Sequence, residues 1–197
     1  QADPLFGHDV SFYVFLLPVY SLALGLVKTL IVISLVGCVL VYVLRGSLNP
    51  ADFFGKFDLT SLSEKLGGPP VKLIKHRGTD QGARMHIGML LALFLATVAA
   101  GTYLSLYSLL TSQSGAVFGA AFTDAHIMVP LLRASVFAYG LAAILALYYG
   151  VSGKLFPLLG AITLTVLVGL VSAVVPSVFQ KLVVAPNELV KETPFIK

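Results

Sequence analysis

Asp124 and His126 stand two residues apart just before a long apolar run, and Arg133 follows about one turn into that run. His8, Asp9 and Lys28 near the start of the chain complete a set of ionisable groups with no apolar excuse for being there. Carboxylate, imidazole, guanidinium and ammonium groups gathered at one membrane face could bind an ion, hold a ligand or relay protons. Two histidines and two aspartates could also ligate a metal, but no compact spacing such as HExxH is present, so neither a metal nor a cofactor is expected. The same residues have a structural reading. Asp124 caps a turn, His126 lies at the interface, and Arg133 extends to the headgroups or pairs with Asp124. No P-loop, GxGxxG, GxSxG or CxxC arrangement occurs, so no residue is named as catalytic. His76 among lysines and His86 at the start of an apolar run are read as solvated and interfacial.

The elements that must position these groups are four apolar runs, at about residues 19–44, 86–110, 129–149 and 155–178. Each matches the ~20 residues that cross a hydrocarbon core as a helix. Hydrophobic residues make up 57% of the chain and charged residues 11%, with a mean hydropathy of +0.93. The fold class expected is all-α, a single transmembrane domain of four spans plus short interfacial helices. At 197 residues, the spans and their connections leave no room for a separate soluble domain. The chain opens on Gln1 and its first segment has no signal-peptide pattern, so a piece of a longer product is expected. Cys38, the one cysteine, reads as a packing residue inside the first span.

Charge sets an orientation. The connection 45–85 carries Arg45, Lys56, Lys65, Lys72, Lys75, Arg77 and Arg84, whereas the connection 111–128 carries no Lys or Arg. Basic loops stay cytoplasmic. The 45–85 loop is therefore expected inside, with the 111–128 loop, the N-terminus and the 179–197 tail outside. The net charge of +4 then reflects topology rather than nucleic-acid binding.

Within the spans, Lys28 lies 17 positions before Arg45, about 26 Å along a helix. With Arg45 at the inner interface and the helix starting after Pro18, Lys28 reaches the outer headgroups; the other reading is a buried functional lysine with an acidic partner. Small residues recur every fourth position at Gly88, Ala92, Ala96 and Ala100, and again at Ala134, Ala138, Ala142 and Ala146. Such stripes let helix backbones approach, and the second and third spans are expected to pack along them. Tyr103, Tyr107, Tyr148 and Tyr149 suit interfacial belts in a chain without Trp.

Outside the spans, 9–17 is too short to cross and is expected to lie at the outer interface, turning at Pro18. Asn49-Pro50 and the Ser61/Glu64 pair mark two helix starts in the inner loop, with Phe53, Phe54 and Phe57 on one face. The basic stretch 71–82 could meet anionic lipid. The outer loop, apolar from Ser114 to Met128, is expected to tuck against the bundle.

Three stretches taken in order carry a resemblance. They are Asp3-Pro4-Leu5-Phe6-Gly7 through Asp9-Val10-Ser11-Phe12-Tyr13 to Leu17-Pro18; Gly115-Ala116-Val117-Phe118-Gly119 with Thr123-Asp124-Ala125-His126; and Pro186-Asn187-Glu188-Leu189. With spans between them, they resemble uncharacterised protein family 0182, a group of bacterial multi-pass membrane proteins. The resemblance implies the later spans of a much longer protein, cut where a large extracytoplasmic domain begins, and a place in the bacterial inner membrane. It brings no reaction and no catalytic residues.

The expected role is a membrane module that anchors an exported domain or serves in envelope assembly. Part of a transporter using Lys28 and the outer polar cluster is the second expectation, and a membrane enzyme using Asp124 and His126 the third. Expected partners are the lipid bilayer, the remaining spans and exported domain of the parent chain, and a second copy as one open assembly; nucleic acid is not among them.

Overall fold

The structure is a computed structural model, and it describes residues 6–48, 80–111, 113–114, 117–118 and 121–187. Four long helices dominate it: α1 (Leu17–Leu44), α2 (Gln81–Ser108), α3 (Val129–Ser152) and α4 (Leu155–Phe179). Each is long and apolar enough to cross a membrane. Residues 113–114 pair antiparallel with 117–118. The inner-loop helices expected at 49–66, the basic stretch up to 79, and Glu188 and Leu189 lie outside the described residues.

The helices pack in chain order, α1 on α2, α2 on α3 and α3 on α4, with α2 against α3 the most extensive contact. Large apolar side chains such as Leu26, Leu30, Ile33, Phe137, Ile144, Leu167 and Leu170 point outward. A water-soluble chain would bury these groups; a helix solvated by lipid leaves them out, because hydrocarbon is as apolar as they are. The small core consists of Ala92 and Leu95 of α2, Ala142 and Ala146 of α3, and Ala161 of α4.

Proline shapes the helix ends that carry the polar groups. Three widened turns, Phe12–Leu16, Asp124–Met128 and Gln180–Val184, each end two residues before a proline: Pro18, Pro130 and Pro186. In each, the residue before the proline (Leu17, Val129, Ala185) donates its N–H five residues back, to the carbonyls of Phe12, Asp124 and Gln180. A proline ring crowds the carbonyl four residues earlier. Slipping one hydrogen bond to the longer spacing opens that turn and lets the helix pass through. The chain therefore does not turn at Pro18. Of the segment 9–17, expected as a separate interfacial piece, residues 10–17 are helical and continuous with α1, and the helix Phe12–Leu44 has 33 residues, about 50 Å in length. Likewise α4 runs on through Gln180–Val184 and Ala185–Asn187.

Two glycines close turns where only a left-handed backbone fits. At the end of α1, Gly46 has φ +69°. Its N–H reaches the Val43 carbonyl at 3.0 Å, and Ser47 N–H reaches that of Tyr42 at 2.9 Å. These two bonds satisfy carbonyls that the helix end would leave bare. The Ser47 carbonyl accepts the Asp80 N–H at 3.0 Å, which ties the start of α2 to the end of α1. Gly153, φ +68°, plays the same part in the tight connection from α3 to α4.

Candidate functional site

The ionisable residues singled out by type separate into two groups and one outlier. The first group sits where the start of α1 meets the end of α2. Asp9 receives the Ser11 N–H on Oδ1 at 2.9 Å, and its own carbonyl receives the Phe12 N–H at 2.9 Å. Asp9 thus satisfies donors that the first turn leaves open. The Ser11 N–H, then the Ser11 hydroxyl, hold its carboxyl at about 2, below the ordinary 3.8. A depressed carboxylate contributes to folding above the unfolded value and loses that contribution as pH falls through the folded one. This cap is therefore complete at neutral pH and is expected to fade only as pH falls from 3.8 to about 2. A carboxyl NMR titration of Asp9 checks this; a midpoint at or above 3.8 would contradict it.

Tyr107 is the hub of this corner. Phe6, His8 and Phe12 stand edge-on to its ring at 5.1, 5.2 and 5.3 Å between centroids. His8 stacks on Phe12 at 4.5 Å. The hydroxyls of Tyr107 and Tyr103, one turn apart on α2, lie 2.8 Å from each other. Phe6, His8 and Phe12 thus dock the start of the chain onto α2, while Asp9 caps the first turn. Arg133 of α3 is exposed and within electrostatic reach of Tyr107.

The second group joins the connection between α2 and α3 to the end of α4. Asp124 is buried, and its Oδ2 accepts the Ala121 N–H at 3.1 Å. Thr123, also buried, donates its hydroxyl to Gln180 Oε1. Phe122 stacks parallel to Phe179 at 6.4 Å. His126, exposed, turns its Nδ1 to the Phe122 carbonyl at 3.0 Å and stacks on the Phe122 ring at 4.1 Å. Asp124 and His126 therefore face separate backbone partners rather than a shared substrate position, and no ion pair joins Asp124 to Arg133 among the described residues. Among those residues no group of three His, Cys, Asp or Glu side chains could hold a metal.

Lys28 belongs to neither group. It is exposed and sits midway along the helix Phe12–Leu44, which extends about two turns beyond the start expected at Pro18.

The small-residue stripes divide at their middle. Gly88 and Ala92 of α2 are buried, as are Ala142 and Ala146 of α3, while Ala96, Ala100 and Ala134 are exposed and Ala138 is half-buried. Closest approach falls at one end only. A Cβ on Gly88 would lie 2.9 Å from both the Ala146 carbonyl oxygen and the Gly150 Cα. One on Gly150 would lie 3.2 Å from the Met85 Cα. Gly150, four positions past Ala146, continues the third-span stripe. The pairings of Thr123 with Gln180 and of Tyr42 with His86, the latter 3.0 Å apart, carried no sequence signal: the partners are far apart along the chain and their types are common.

A family model for uncharacterised protein family UPF0182 matches residues 1–197. Among curated relatives, UPF0182 proteins of Trichodesmium erythraeum and Kocuria rhizophila are each 31% identical, over 98% and 100% of this chain and 19% and 18% of their own length. One from Salinibacter ruber is 34% identical over 100% of this chain and 18% of its own. The chain thus spans about a fifth of the length of these relatives. No solved structure matches it at a significant level. The three short stretches picked out above thus stand within a match along the whole chain, which belongs to uncharacterised protein family UPF0182.

Proposed function

We propose that these four spans anchor and orient an extracytoplasmic part of a longer bacterial inner-membrane protein, or serve its role in envelope assembly. The observation that carries this reading is the closure of the outer polar groups on one another. Thr123 bonds Gln180, Asp124 bonds the Ala121 N–H, and Phe122 stacks on Phe179. Together they brace the outer end of the 33-residue helix Leu155–Asn187. Such bracing suits a rigid mount for whatever follows. The chain's modest share of its relatives' length supports the same reading. Orientation follows from basic residues: seven between 45 and 84, none from 111 to 128, which favours both ends outside.

One observation favours a second reading, part of a transporter. Lys28 stands at mid-helix, exposed, and an ammonium on the part of a helix that lies within hydrocarbon is costly without a partner or a water-filled route. A shared role for Asp124 and His126 in catalysis has no geometric support, since each is turned to its own backbone partner.

The full-length protein separates these readings. Under the anchor reading, Asp124→Ala with His126→Ala lowers expression or thermal stability at most, Lys28→Leu leaves yield unchanged or higher, and alkaline phosphatase fused after Asn187 is active. An inactive fusion, or a Lys28→Leu protein that is made normally but loses a measurable solute flux, would overturn it.

A further inference from the structure

At the end of α1 and the start of α2 the two helices leave a slot of about 580 Å³ between them. Its walls differ by depth. Tyr42, Arg45 and His86 gather at the mouth, where α1 ends and α2 begins, and Gly37, Val41 and Leu90 line it further in. We propose that this slot holds an anionic phospholipid, its phosphate against Arg45, Tyr42 and His86 and an acyl chain along Gly37, Val41 and Leu90.

Four observations support the assignment. None of the described lining residues is acidic, so the polar end favours an anion. Arg45 follows the last residue of α1 and is exposed, at the height where a spanning helix meets headgroups; guanidinium is suited to phosphate because its fork matches two oxygens. The Tyr42 hydroxyl and His86 Nδ1, 3.0 Å apart, fix each other at the mouth and offer further hydrogen-bonding groups. A Cβ on Gly37 would meet nothing within 4 Å, so the deeper part has open room. The flanks of α1 beside the slot, including Val36, Leu40 and Leu44, are exposed apolar surface. A lipid can therefore enter sideways from the bilayer. The slot's amphipathic order, charged at the boundary and apolar in depth, is that of a phospholipid rather than of a free anion.

Cys38 lines the same slot, 3.9 Å from His86 Nε2, and reports its occupancy. The experiment places the full-length protein in vesicles of phosphatidylcholine alone or with phosphatidylglycerol added. A membrane-permeant maleimide is applied, and modification of the Cys38 peptide is followed by mass spectrometry. An occupied slot is expected to slow alkylation about fivefold or more in the phosphatidylglycerol vesicles, as mass action requires when lipid exceeds its dissociation constant several times. Arg45→Gln, which removes the charge, and Gly37→Leu, which fills the slot, should each make the two rates equal. Inorganic phosphate added to phosphatidylcholine vesicles should leave the rate unchanged. Equal rates for the unaltered protein, a difference that persists in Arg45→Gln, or protection by phosphate alone would each overturn the proposal.

Discussion

Gly88→Leu is expected to force α2 and α3 apart and to destabilise the membrane domain by about 3 kcal/mol or more, the upper end of what overpacking costs in a well-packed interior. The obstacle is backbone on both sides. A Cβ at this position would stand 2.9 Å from the Ala146 carbonyl oxygen and 2.9 Å from the Gly150 Cα, and neither can rotate away as a side chain could. The contact also lies in the most extensive helix pairing of the fold. Gly101 on the same helix provides the control: a Cβ there would meet nothing within 4 Å, so Gly101→Ala should change stability by less than about 0.5 kcal/mol. Thermal unfolding in detergent, followed by helix signal, checks both. A Gly88→Leu protein that melts with the parent would show that the helices do not meet here.

Tyr107→Ala is expected to release the segment before α1 and to cost about 2–6 kcal/mol, from three aromatic pairs worth about 0.5–1.5 kcal/mol each together with a lost hydrogen bond worth about 0.5–1.5 kcal/mol. Tyr107→Phe keeps the rings at Phe6, His8 and Phe12 and loses only the hydroxyl contact with Tyr103, so its cost should stay near 1 kcal/mol. Limited proteolysis distinguishes them. Cleavage around Phe6–Ser11 should accelerate in the alanine variant and stay slow in the phenylalanine variant. Equal protection in both would mean that Tyr107 does not hold this corner together.

The four spans were legible because length and apolarity are local properties: about 20 apolar residues in a row have few alternatives to a helix in lipid. The helix ends were less so. Pro18 reads as a break, yet a widened turn carries the helix through it, and the same device recurs before Pro130 and Pro186. That local slip of one hydrogen bond leaves no mark on hydropathy, and the helix that carries Lys28 therefore starts earlier than Pro18 suggests. The alanine stripes located the α2–α3 face but not its extent. Ala96, Ala100 and Ala134 stand exposed while Gly88 and Gly150 make the close approach, because where helices touch depends on crossing geometry as well as on side-chain size. Asp124 and His126 were legible as residues, but not their directions. Their partners, the Ala121 N–H and the Phe122 carbonyl, are set by the turn that holds them, and the brace from Thr123 to Gln180 bridges 57 positions.

The threading of the chain through the membrane underlies the anchor reading, and cysteine accessibility tests it most directly. Single cysteines replace Lys72, outside the described residues, or Ser114, in a Cys38→Ala background. Intact cells are then treated with a membrane-impermeant maleimide. Position 114 should be labelled at once and position 72 only after the membrane is permeabilised. Labelling of position 72 in intact cells, with position 114 protected, would contradict the orientation and the role built on it.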